Sequence, residues 1–190
     1  MATPCTGLTP QSLNWCDGKI NLPGIRTNVY FIPKRDIVLW PTLAETYTTD
    51  MSVLATYSGD FTLETDKKWQ KLQVLVDKSP VTSASQGTKP SKTALNTATF
   101  VHPGTEELAT AFCRLANNDD YVYIVQTKPG KYRVIGNEMY QTETNPSQAL
   151  GGSPTDEMGT TLEVSVTDVM PAPFYNGLIE TVDGDINEST

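Results

Sequence analysis

The alternation of apolar and polar residues predicts β-strands along most of the chain. Candidate strands lie at residues 28–32, 37–40, 53–57, 61–65, 69–76, 97–102, 121–125, 131–135, 160–169 and 178–182, and the alternation is clearest at residues 69–76, 97–102 and 162–167. Gly and Pro residues stand between many of these segments, as is typical of turns between strands. Lys128-Pro129-Gly130 has Pro and Gly at the two central positions of a type II turn, which predicts a hairpin. The pattern therefore predicts a mainly β fold, an antiparallel β-sandwich or barrel.

One segment, residues 105–116, predicts an α-helix instead. Thr105 is a candidate N-cap, and two glutamates in the first turn suit the positive end of the helix dipole. Leu108, Phe112 and Leu115 recur at helical spacing. We expect this stripe to pack the single helix against one side of a sheet.

Two polar stretches, residues 79–96 and 141–159, lack this apolar pattern and predict long loops. The first stretch is either a mobile surface loop or a protruding loop that becomes ordered against a neighbouring subunit. Its candidate inter-subunit residues are Ser83, Gln86, Lys89 and Lys92.

A chain of 190 residues is long enough for one domain with arms. We predict an N-terminal arm with short strands at residues 1–45, a β-sandwich domain at residues 46–182, and an acidic C-terminal tail at residues 183–190. The arm is rich in Pro and Gly, and we expect it to dock through Leu13, Trp15, Ile20 and Ile25.

Charge is divided unevenly along the chain. All 14 Lys and Arg residues lie at or before Arg133, whereas the segment from Val134 onward holds ten acids and no base. Such a segment disfavours nucleic-acid binding by phosphate neutralisation. It suits a surface past which an anionic polymer slides, or one that meets a basic partner. The candidate residues of this acidic face are Glu138, Glu143, Asp156, Glu157 and Glu163.

The three cysteines, Cys5, Cys16 and Cys113, do not form the pattern of a disulfide framework. Cys5 could pair with Cys16, or the three could join His102 around zinc, but the chain has neither C-x-x-C nor H-x-x-x-H. Cys113 lies in the predicted helix, where we expect a buried thiol that packs as a small hydrophobe. We expect no metal and no cofactor.

Catalytic patterns are also weak. His102 is the only histidine, so every Ser-His or Cys-His arrangement needs it, and it precedes Pro103 at a strand end, where a structural role is more common. The carboxylate pair Asp156-Glu157 lies in a Gly/Pro loop without flanking aromatic residues, unlike a glycosidase site. We therefore predict a protein that is not an enzyme, with a hydrolase using His102 or the acidic pairs as an alternative.

No apolar run approaches the roughly 18 residues that a membrane span needs, so we expect no membrane contact. The first residues have neither the basic region nor the apolar run of a secretory signal. These features predict a protein made in a cytoplasm.

Four segments of the chain form a recognisable combination. They are the β-loop-β arrangement of residues 72–100, the helix at residues 106–116, the hairpin at residues 121–135, and the late strand that ends in Val169-Met170-Pro171-Ala172-Pro173-Phe174-Tyr175. Together these segments resemble the tail tube proteins of tailed bacteriophages. The resemblance extends over residues 45–180. It implies a domain that closes into a ring, usually hexameric, with rings stacked into a tube through which DNA passes without specific binding. It further implies that the acidic face lines the lumen and that residues 79–96 make an inter-ring contact.

The predicted function is a structural subunit of a phage or phage-like particle, a homo-oligomer located in the virion beside other virion proteins and made in the host cytoplasm. Because the arm has no counterpart in the simplest tube proteins, a capsid decoration or connector protein is one alternative. A monomeric β-sandwich that binds a carbohydrate or protein ligand is another, since Trp15, Trp40 and Trp69 could line a sugar site.

Overall fold

The computed structural model describes residues 8–187 and confirms the predicted class, a mainly antiparallel β-sandwich with one α-helix. The helix α1 is Glu107–Ala116, and short 3-10 helices lie at Lys34–Asp36, Met51–Ala55 and Val76–Lys78. The strands are β1 Ile25–Pro33, β2 Ile37–Leu39, β3 Thr42–Leu43, β4 Thr56–Ser58, β5 Thr62–Leu63, β6 Gln70–Gln73, β7 Val81–Gln86, β8 Thr93–His102, β9 Tyr121–Thr127, β10 Tyr132–Ile135, β11 Thr142–Ala149, β12 Gly159–Asp168, β13 Phe174–Tyr175, β14 Ile179–Thr181 and β15 Gly184–Ile186.

The larger sheet has seven strands in the order β3-β4-β13-β10-β9-β1-β6. The β9–β10 hairpin forms where it was predicted, but its turn differs from the predicted type II turn: Gly130 N donates to Thr127 O at 2.9 Å, so Lys128 and Pro129 are the central residues, and Gly130 follows them with a φ of 103°. Strand β1 falls in the segment predicted as an arm, yet it lies between β9 and β6 in this sheet. Two small pairs, β2 with β5 and β14 with β15, complete the strands.

The smaller sheet has four strands in the order β11-β12-β8-β7, all antiparallel. On β12, Leu162, Val164 and Val166 are buried, whereas the residues between them are more exposed. This alternation places one face of the smaller sheet against the larger sheet and turns the other face away from the core.

Two apolar clusters lie on opposite faces of the larger sheet. One fills the space between the two sheets and includes Phe100, Tyr123 and Leu162. The other packs on the far face around Trp69 and Tyr175, with Phe61 in edge contact with the Trp69 ring at 5.4 Å. Because both faces of the central strands are covered, β9 is buried along Tyr121–Val125 with no polar alternation.

Each of the two predicted long loops contains a strand, so those predictions were wrong over residues 81–86, 93–96 and 142–149, whereas residues 150–158 are a loop. Residues 79–96 contain β7 and the start of β8, with a loop only at residues 87–92, and residues 141–159 contain β11. Both strands are edges of the smaller sheet, and an edge strand needs few apolar side chains. Hydroxyl and amide groups hold β7 instead, as Thr82 Oγ1 lies 2.7 Å from Thr97 Oγ1 and Ser83 Oγ donates to Asn96 Oδ1 at 2.6 Å.

The hairpin expected from residues 53–57 and 61–65 does not form. Residues Met51–Ala55 are a 3-10 helix, and Asp50 caps it by accepting a hydrogen bond from Ser52 N at 2.8 Å. Strand β4 pairs with β3 and β13, and β5 pairs with β2. A local side-chain cap therefore overrode the strand preference of this segment.

The helix lies where it was predicted, but its packing stripe was assigned incorrectly. Leu108 is 83% exposed and Leu115 is 60% exposed, whereas Phe112 is half-buried and Ala116 is buried. The Phe112 ring contacts Phe31, with ring centroids 4.7 Å apart. The expected N-cap was also wrong, because Glu106 holds that position and makes no side-chain hydrogen bond.

Cys113 is half-buried, whereas we expected its thiol to be buried.

Residues 8–24, hereafter the arm, contain no strand and do not dock as predicted. Leu13, Trp15 and Ile20 are exposed, and only Ile25 of the predicted docking residues is buried. In the predicted acidic tail, residues 184–186 form β15, and the part beyond residue 187 lies outside the described residues.

Candidate assembly interface

The outer face of the smaller sheet, meaning the face turned away from the core, is polar and has no basic residue. Strands β7, β8, β11 and β12 together contain no Lys and no Arg. The registers place mostly small polar residues on this face, namely Thr82, Gln86, Thr97, Thr99, Asn145, Ser147, Thr161, Ser165 and Thr167, together with the apolar residues Ala84, Leu95 and Val101. The same registers add two acids, Glu143 and Glu163. The outer face is therefore uncharged or negative throughout.

The acidic residues singled out from the sequence do not form one cluster. Glu143 and Glu163 lie on the outer face on paired strands, since Glu143 is opposite Ser165 and Asn145 is opposite Glu163. The other three acids, Glu138, Asp156 and Glu157, lie in loops outside this sheet.

The loop acids have local roles. Asp156 accepts hydrogen bonds from Gly152 N at 2.8 Å and Ser153 N at 2.9 Å, and these backbone donors lower the pKa of its carboxyl. Glu157 forms an ion pair with Lys78. Glu138 is exposed after β10. Only two of the five acids therefore lie together on one face, whereas we predicted from the sequence that all five would.

Strand β7 is an unprotected sheet edge. Among the described strands only β8 pairs with it, so its other edge is open along six residues. It contains no charge and no Pro, and such edges readily pair with another strand. This feature was missed in the sequence because a strand of Thr, Ser and Ala has no apolar alternation.

The predicted inter-subunit residues lie on this β7–β8 hairpin. Ser83 and Gln86 are strand residues that stabilise their own sheet, as Gln86 Nε2 donates to Thr167 Oγ1 at 3.0 Å. Lys89 and Lys92 are exposed in the loop at residues 87–92. The hairpin thus combines an uncharged edge with a basic tip.

The opposite edge, β11, differs between its two halves. Its second half starts at Pro146 and lies beside α1, where Thr110 Oγ1 donates to Gln148 Oε1 at 3.2 Å. Its first half, Thr142–Asn145, lines an open cavity of about 330 Å³ with the segment that follows α1. Asp119, Asp120 and Glu143 make this cavity acidic, although Asp119 and Asp120 pair with Arg35 and Lys34. The polar run Asn117-Asn118-Asp119-Asp120 was the available sequence signal.

A second cavity, hereafter the helix groove, lies between α1 and the edge strand β6. Its volume is about 370 Å³. Apolar side chains from four elements line it, including Phe31, Leu72, Leu108, Phe112 and Leu162, and all four residues of β6 contribute. The groove is an apolar site next to an open sheet edge.

The candidate catalytic and metal-binding residues either lie away from these surfaces or make structural contacts. His102 Nδ1 lies 2.8 Å from the carbonyl oxygen of Gln73, a contact that joins β8 to β6. Within residues 8–187, no group of three or more His, Cys, Asp or Glu side chains is placed to hold a metal ion. The pairing of Cys5 with Cys16, and any zinc site that includes Cys5, lie outside the described residues.

Trp40 and Trp69 belong to the far-face cluster, and Trp15 is exposed in the arm. The three tryptophans therefore do not line one sugar site. In the described part of the chain, no helix is long and apolar enough to cross a membrane.

Comparison with known proteins gave no match to a family model, to a curated protein or to a solved structure.

Proposed function

We propose that this protein is a structural subunit that assembles with copies of itself into rings within a phage or phage-like particle. The most specific form of this proposal is a tail tube protein whose rings surround a DNA channel. The observation that carries it is the smaller sheet, which combines an unprotected edge at β7, a partly open edge at β11, and an outer face without bases.

Ring formation follows from joining unlike edges. If β7 of one copy pairs with the first half of β11 of the next, the contact is head-to-tail, and such contacts repeat until a ring closes. The exposed Lys89 and Lys92 at the tip of the β7–β8 hairpin would then meet the acidic cavity beside β11. Joining these edges also removes the unpaired edge that β7 leaves open.

The outer face then becomes the lining of the ring. A base-free surface with Glu143 and Glu163 offers nothing that neutralises phosphate, so DNA would pass without being held. The resemblance to tail tube proteins supports the same orientation. We propose a homo-oligomer in the virion that contacts other virion proteins, with a hexameric ring as the expected order.

The experiment is sizing of the purified protein combined with negative-stain imaging. The expected result is closed rings or tubes. Ser85→Lys adds a charge to the open edge and should shift the protein toward monomers, because a desolvated lysine opposes strand pairing. Ser58→Lys, at an exposed strand position in the larger sheet, is the matched control and should leave the rings unchanged. A wild-type protein that stays monomeric would contradict the proposal.

One observation favours a second candidate function. The helix groove is an apolar cavity of the size of a small ligand site, with polar groups at Lys71, Gln73 and His102 along its rim. A monomeric binding module for a carbohydrate or protein ligand would use this groove. Retention of the monomer on a carbohydrate or peptide array, in the absence of rings, would favour that function.

A further inference from the structure

The arm presents large apolar side chains that its own chain leaves uncovered. Leu8, Leu13, Trp15, Ile20 and Leu22 are each 46% exposed or more, and Leu13 reaches 90%. Leu13 and Trp15 are two residues apart, and so are Ile20 and Leu22. In an extended chain, residues two apart lie on the same side. Each pair therefore forms an apolar face of the kind that a strand presents to a binding groove.

The helix groove offers a site of matching character. Its floor is the edge strand β6, which pairs with β1 on one side only. The ends of β6 are held, because Gln73 O contacts His102 Nδ1 and Trp69 N donates to Glu180 O at 2.9 Å. Between these ends the edge faces the groove, where Leu108 and Phe112 of α1 form the apolar wall.

The same chain does not bring Leu13 and Trp15 to its own groove. The side chain of Gln11 donates to Thr49 O at 2.7 Å and accepts from Met51 N at 2.9 Å, which fixes this part of the arm at the start of the 3-10 helix that leads into β4. Five strand spacings separate β4 from β6 in the sheet, or about 24 Å at the usual spacing. Trp15 is only four residues beyond Gln11 and spans at most about 14 Å.

We propose that the arm of one copy binds the helix groove of a second copy, with Leu13 and Trp15 packed against Leu108 and Phe112 and the arm backbone added along the edge of β6. The inference rests on the proposed self-assembly, because it needs a neighbouring copy. Gln11 anchors the first part of the arm on the far side of the larger sheet from the groove, so the contact is head-to-tail and agrees with a ring.

The test uses a fluorescently labelled peptide of residues 8–24, with Ser in place of Cys16, and the intact protein diluted until it is monomeric. Fluorescence anisotropy should show saturable binding. Leu108→Asp should weaken binding about tenfold or more, because a carboxylate replaces an apolar wall of the groove. Leu115→Asp is the matched control, since Leu115 is exposed on the same helix but does not line the groove. A peptide with Trp15→Ser should also bind more weakly.

Three results would overturn the inference: no binding by the intact protein, equal binding by the Leu108 and Leu115 variants, or binding that appears only after the protein's own arm is removed. The last result would show that the arm covers its own groove. Sizing of the same samples separates this inference from the proposed function. Rings without peptide binding overturn the arm contact alone, whereas peptide binding without rings overturns the ring and leaves the arm contact supported.

Discussion

Asp168 is the least compensated charge among the described core residues. Its side chain is at the end of β12 and the residue is 1% exposed. Oδ1 accepts a hydrogen bond from Val169 N at 2.7 Å, whereas Oδ2 has no hydrogen-bond partner among the described residues. Burial raises the pKa of the Asp168 carboxyl, and the Val169 N–H and the side-chain amide of Asn137 oppose this shift.

This pKa shift predicts how stability depends on pH. A carboxyl whose pKa is raised by folding binds its proton more tightly in the folded state than in the unfolded state. The free energy of unfolding therefore falls as the pH rises from the pKa of the unfolded state through the pKa of the folded state. Asp168→Asn keeps the shape without the charge and should raise the melting temperature at pH 7. The gain should shrink as the pH approaches the ordinary aspartate pKa. Calorimetry of both proteins across this range checks the prediction, and a lower melting temperature for the variant at pH 7 would contradict it.

Single residues were predicted from the sequence with mixed success. Glu143 and Glu163 lie on one face, but only Glu163 lay in a predicted strand, since Glu143 belongs to a stretch that was predicted as a loop. Asp156 and Glu157 could not be placed, since a loop residue follows no periodicity and these two found local donors and a lysine. Residue type alone does not indicate such partners.

For the helix α1, the sequence pattern predicted its position but not which of its faces packs against the sheet. Its length and position followed from the 3.6-residue period. Its rotation did not, because two overlapping apolar stripes exist, and the sheet covers the one that holds Phe112 and Ala116. Leu108 and Leu115 are consequently left on the surface.

This rotation predicts unequal costs for two truncations on α1. Phe112→Ala removes ring contacts with Phe31 and Tyr121 and should lower the free energy of unfolding by about 2–4 kcal/mol. Leu115→Ala, at an exposed position, should change it by less than about 0.5 kcal/mol. Urea denaturation of both variants gives the comparison. Equal losses would mean that the helix packs through Leu115.

Edge strands were the elements that the sequence pattern failed to predict. A central strand such as β9 is covered on both faces and is therefore apolar and easy to recognise. Strands β7 and β11 are covered on one face at most, so their composition resembles that of a loop. The elements most useful for assembly are thus the ones with the weakest sequence signal.

For the molecule as a whole, the fold class followed from alternation and turn residues, but the strand order did not. The pairing of β1 with β9 joins segments about 95 residues apart, and β13 pairs with β4 in parallel across a still longer separation. Local patterns do not encode such pairings, because many registers satisfy the same alternation. The charge division along the chain explains only part of the base-free outer face, because β11 and β12 lie in the segment after Arg133 whereas β7 and β8 lie in the segment that holds every Lys and Arg.

In the proposed ring, the smaller sheet continues from one copy into the next, from β7 to β11. The most direct measurement is cross-linking of a chain with Ala84→Cys and Asn145→Cys, in which Ser replaces Cys5, Cys16 and Cys113. Both positions lie on the outer face, and directly paired strands bring Cα atoms within disulfide range. Each single-cysteine chain is a control. The account predicts that oxidation gives a ladder of covalent oligomers that ends at a closed ring, and that neither control forms one. Monomers alone, or dimers from the Ala84→Cys control, would contradict it.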